Sequence, residues 1–267
     1  MMRVRFHRYF ALAVAVLLLA ACASKEPAPP PREPDPPPPA RPQEVSPQKR
    51  AELHTDLAAG YYERGQMDIA LQELDEAVKL DAANPKIYNI YGLVYTVLGE
   101  DAKAEQNFAR ALSLAPQDSE TRQNWGWYLC THERVKESLP EFERAVANPL
   151  YKTPEIPLIN AGRCSAMIGD TAAAESYFLR ALRVAPANEP ATYGLALLAY
   201  KAGRFDDARR WMKAIRPTNL PPEALYLGLC VERKLGDRQA EASYTAQLRN
   251  RYPDAAETKA LATGVCE

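Results

Sequence analysis

The chain has 267 residues, of which 47% are hydrophobic and 25% charged, and a formal net charge of -1. That is ample apolar material for a packed core and excludes disorder throughout. The balanced charge leaves no basic excess to hold nucleic acid or an anionic membrane surface, so nucleic acid is not an expected partner.

The first element is a leader. Arg3, Arg5 and Arg8 precede a twelve-residue apolar stretch from Phe10 to Ala21. This is the pattern of a secretory signal, and it is too short to cross a bilayer as a helix. Its end, Leu19-Ala20-Ala21-Cys22, resembles the lipobox of bacterial lipoproteins, in which the signal is cut before a cysteine that carries lipid. Residues 1–21 therefore read as a lipoprotein signal peptide and Cys22 as the lipidation site. No cofactor is expected beyond that covalent lipid. Several acyl chains anchor firmly, since each buried CH₂ contributes about 0.8 kcal/mol. The resemblance to enteric lipoproteins also implies an address. Ala23 is not the aspartate linked with inner-membrane retention, which points to the outer membrane and its periplasmic face.

Residues 22–46 form the second element. Ten of the sixteen residues from Pro27 to Pro42 are proline. Such a segment cannot form helix or sheet ladders and favours extended polyproline II. About twenty residues at roughly 3.1 Å each reach some 60 Å. The reading is a spacer that holds a globular domain off the membrane; a ligand for a proline-binding groove is the other reading of that composition.

From residue 47 to 267 the periodicity is helical, without strand-like alternation. Two segments align without gaps at an offset of 34 residues, one from Leu57 and one from Tyr91. This resembles the tetratricopeptide repeat. In the second copy Tyr88, Gly92, Tyr95, Ala104, Phe108, Ala111 and Pro116 occupy the signature positions. Small residues at Gly92, Ala104 and Ala111 let two helices approach closely, and Tyr95 and Phe108 fill the space between turns. The resemblance implies an all-α fold, an α-solenoid with repeats near 51–84, 85–118, 119–154, 155–188, 189–220 and 221–253, and a closing helix over 254–267. Tyr61, Tyr95 and Phe108 are expected in the core. By the family pattern the first helices line a concave groove, with Tyr62, Asn89, Leu93, Thr96, Val97, Gln123 and Trp127 as candidate partner contacts.

Nothing in the chain reads as an active site. There is no phosphate loop, GxSxG or HExxH motif. His54 and His132 stand apart without ligand-spaced partners, so no metal site is expected. Glu73, Asp75 and Glu76 fit a solvated helix face. The expectation is a binding scaffold and not an enzyme. Beyond Cys22, four cysteines remain, and an even number in an exported chain suggests disulfides, with three pairings open. In a solenoid Cys130 and Cys164 fall on the first helices of neighbouring repeats, within reach of the roughly 4.4–6.8 Å that a bridge needs. Buried free thiols are the alternative. Cys230 and Cys266 can pair only if the last helix folds over the sixth repeat.

The lipobox, tether and six repeats together resemble the PilW/PilF family of type IV pilus biogenesis and stability proteins, the pilotins. The segment Asn124–Cys130 is similar to that family's N-Y-G-x-F-L-C, and Asn160–Cys164 and Leu248–Glu257 also look like it. The resemblance implies an outer-membrane protein that binds the pilus secretin and promotes its localisation and multimer assembly. It implies effects on pilus stability and twitching motility, and other pilus assembly proteins as further partners. A secretin segment would then lie along the early repeats. The rival expectation is a general periplasmic adaptor for cell-envelope enzymes or proteases.

Overall fold

The computed structural model describes residues 45–216, 220–264 and 266. The signal peptide, Cys22 and the proline-rich run lie outside the described residues. Among the described residues there are thirteen α-helices and no strand. Twelve make six hairpins: α1 (Pro47–Glu63) with α2 (Met67–Leu80), α3 (Pro85–Leu98) with α4 (Asp101–Leu114), and α5 (Ser119–Thr131) with α6 (Val135–Val146). Then come α7 (Glu155–Met167) with α8 (Thr171–Val184), α9 (Glu189–Lys201) with α10 (Phe205–Ala214), and α11 (Pro222–Leu235) with α12 (Arg238–Arg251). Each second helix packs on the first helix of the next hairpin, and first helices of consecutive hairpins also touch. The stack is therefore a tetratricopeptide α-solenoid with its first helices on the inner side.

The caps are written into the sequence. Asn84 Oδ1 accepts from the Lys86 N–H at 3.0 Å, Asp118 Oδ2 from Thr121 at 2.7 Å, and Asn188 Oδ1 from Ala191 at 2.9 Å. Each satisfies an amide that has no partner inside its helix. The turn between paired helices uses a left-handed residue, glycine in five repeats and Glu133, at φ 62°, in the third.

Close approach of the paired helices follows from glycine facing a ring. A Cβ added at Gly92 would stand 2.7 Å from Phe108, and one at Gly162 would stand 2.8 Å from Phe178. Phe108, Phe142 and Phe178 are all buried in this way. The first repeat instead carries Ala58 and Leu74 at the equivalent positions, both fully buried. Phe108 is core as expected. Tyr61 and Tyr95 are only half-buried and sit under Arg64 and Lys103, so they edge the core instead of filling it.

Cys130 of α5 and Cys164 of α7 are bonded, with Cα atoms 5.9 Å apart. Cys230 of α11 is bonded to Cys266, with a Cα separation of 5.6 Å. The expected closing helix over 254–267 is much shorter: α13 spans only Ala256–Ala260. Beyond it the chain turns, with Gly264 at φ 67°. Glycine stops a helix readily. The tail is strapped down by other means. Tyr200 donates to the Cys266 carbonyl at 3.1 Å and Arg233 to the Gly264 carbonyl at 2.7 Å.

Candidate partner-binding groove

The inner face of the early repeats is built by α1, α3 and α5. Val97, near the end of α3, is 55% exposed, and Trp127 of α5 is 36% exposed. Exposed apolar side chains on these first helices are surface that a partner can cover. Leu93 and Gln123 are partly buried beside them. Thr96 spends its hydroxyl on the Gly92 carbonyl at 2.7 Å, which leaves mainly its methyl to offer. Tyr62 is half-buried against the first core cluster, and burial pushes its hydroxyl pKa up.

Asn89 requires a correction. It does not line the open groove: its side chain is 1% exposed, and its Oδ1 accepts from Asn124 Nδ2 at 3.2 Å. The two amides join the first helices of neighbouring repeats. A polar residue at an inner position reads as a contact in the sequence, but the helices approach closely enough here to pair it internally.

The acidic cluster on α2 is also more committed than a solvated face. Glu73 lies 2.6 Å from His54 Nδ1, and Asp75 accepts a hydrogen bond from Tyr91. Asp75 and Glu76 are nevertheless exposed, as expected of a solvated face, and Glu76 pairs with Lys79 there. His132 reaches Asp101 at 3.1 Å. No cluster of metal-ligating side chains occurs among the described residues.

The sequence reading passed over the aromatic stack between the second and third repeats. Trp125 and Tyr128 stack at 5.2 Å, Phe108 lies 5.6 Å from Trp125, and Arg134 sits 5.7 Å over the indole. Burial, with Glu105 and Asp101 nearby, pushes the Tyr128 hydroxyl up to about 12. The aromatic run from Trp125 to Tyr128 is its only signal in the sequence. Trp125 and Tyr128 belong to α5 itself, so the stack packs the helix that carries Trp127 against Phe108 of α4.

Models of the tetratricopeptide repeat match residues 60–99, 85–118 and 169–230. The type IV pilus assembly protein PilF of Pseudomonas aeruginosa is 24% identical over 207 residues, 77% of this chain and 82% of that protein. The crystal structure of PilW, a widely conserved type IV pilus biogenesis factor, superposes with a TM-score of 0.72 at 33% identity, covering 79% of this chain and 98% of that one. The solved Pseudomonas aeruginosa PilF gives the same TM-score at 23% identity, over 82% of this chain and 99% of that one.

Proposed function

The chain belongs to the PilW/PilF family of type IV pilus biogenesis factors, and on that premise we propose that it is an outer-membrane lipoprotein that binds the pilus secretin and promotes its localisation and multimer assembly. Kinship with PilW over 79% of this chain and 98% of that one is the observation that carries this reading. It acts by binding and not by turnover. An extended secretin segment lies along the early repeats, with Val97, Trp127, Leu93 and the ring of Tyr62 as apolar anchors. The lipid on Cys22 carries the bound partner to the outer membrane, and the proline-rich segment gives the repeats reach into the periplasm.

The test is a strain lacking the gene, complemented with the wild type, with Cys22→Ala or with Val97→Asp. Its membranes are resolved without boiling and blotted for the secretin. The expected result is loss of high-mass multimers from the outer membrane, restored there by the wild type alone. Normal amount and location of multimers in the deletion strain would reject secretin assembly and favour a general periplasmic adaptor.

A further inference from the structure

We propose that the inner face of the late repeats holds a second docking site, for an extended polypeptide segment that carries an acidic side chain and, about three residues on, a basic one. Two clefts lie side by side there. The first, about 320 Å³, opens between α7 and α9 on an apolar floor of Ala166, Met167, Tyr193, Leu197 and Leu198, with Arg163 and Lys201 at its edge. The second, about 210 Å³, opens between α9 and α11 on Pro190, Ile215, Leu220 and Ala224, with Glu189 and Glu223 at its edge. Tyr193 belongs to both clefts, and so does Arg163.

The charges define the occupant. Arg163, Lys201, Glu189 and Glu223 are all exposed, and none has an ion-pair partner among the described residues. Three other cations of these repeats are paired: Arg180 with Glu143, Arg204 with Glu175 and Arg209 with Glu232. An apolar segment laid over two unpaired cations would desolvate them without compensation, whereas a segment bringing a carboxylate would pair them. The neighbouring cleft, where Glu189 and Glu223 outnumber the shared Arg163, asks for the opposite sign. Packed helices are about 8–10 Å apart, which matches three residues of polyproline II chain at about 3.1 Å each, the extended form in which side chains three apart share a face. Clefts of this size take single side chains and not a helix about 10 Å across. A chain terminus would satisfy one cleft only, so the occupant is an internal segment. Met167, an apolar side chain left 63% exposed beside the cations, supplies the surface to be covered.

The probe is a fluorescein-labelled peptide with blocked ends, Ser-Val-Phe-Glu-Thr-Val-Lys-Leu-Ser-Gly, titrated against the full chain in detergent by fluorescence anisotropy. Saturable binding is expected. Exchanging the Glu and Lys of the peptide should weaken it by about tenfold or more. The double variant Arg163→Glu/Lys201→Glu leaves both clefts acidic, so it should lose a similar factor for the original peptide and no longer favour it over the exchanged one. Val97→Asp, on the early repeats, should leave the affinity unchanged, which separates this site from secretin binding. All of these side chains are exposed, and an unaltered thermal unfolding curve verifies the fold. No binding, equal binding of the two peptides, or an unchanged double variant would each overturn the assignment. So would a dimer in sedimentation that the double variant dissolves, because the occupant would then be a second copy of the chain.

Discussion

Glu133 holds, at φ 62°, the turn position that Gly65, Gly99, Gly169, Gly203 and Gly236 hold in the other repeats. A side chain in left-handed backbone costs about 1–2 kcal/mol, against which glycine loses about 0.4–1 kcal/mol through the entropy of the unfolded chain. Glu133→Gly should therefore stabilise by about 0.5–1 kcal/mol in denaturant unfolding; a destabilised variant would show that Glu133 makes a compensating contact. Tyr128 sets a pH limit. Its folded pKa, about 12, lies above the ordinary value of 10.0, so its contribution is intact below pH 10 and is lost as pH rises toward 12. Alkaline unfolding followed by circular dichroism should begin in that window, and Tyr128→Phe should make stability less steep there. Little of this was legible in the chain. Glu133 stands out only once the 34-residue register aligns it with glycines, and the environment of Tyr128 depends on Glu105 and Asp101 of the preceding repeat.

At the scale of the helix pair, glycine against a phenyl ring fixes how closely two helices approach. Gly92→Ala places a methyl group 2.7 Å from Phe108, and such overpacking costs about 1–3 kcal/mol. Adding Phe108→Leu makes the Ala–Leu pair that the first repeat already uses at Ala58 and Leu74, both fully buried. A double-mutant cycle should show the second change relieving part of the first; simple additivity would mean that the ring is not what resists the methyl. This level was the most readable in the sequence. Gly92, Ala104, Phe108 and Ala111 recur at a fixed period because each has one packing task that tolerates few side chains. The closing helix was misread for the complementary reason. The composition of residues 254–267 allows a helix, but the Cys230–Cys266 bond and the hydrogen bonds from Tyr200 and Arg233 hold its end in a turn.

At the scale of the molecule, each repeat touches only its neighbours, so a clamp between two repeats acts on the whole array. The Cys130–Cys164 bond ties α5 to α7 across 34 residues of sequence. Closing a loop of that length stabilises by about 3–4 kcal/mol on the chain-entropy model. Cys130→Ser/Cys164→Ser should lower the unfolding midpoint by a matching amount and broaden the transition as the halves uncouple. An unchanged midpoint would leave the bond without a stabilising role. Neighbouring repeats and an even cysteine count made this pair legible. The clefts around Tyr193 were not, because they exist only once α7, α9 and α11 are set side by side. The most direct measurement on the central reading is photo-crosslinking in living piliated cells, with a crosslinking amino acid at Val97 on the inner face or at Ala109 on the exposed side of α4. A crosslinked species containing the pilus secretin from Val97, and none from Ala109, is the expected result. Secretin absent from the Val97 products while the protein is expressed and exported would contradict it.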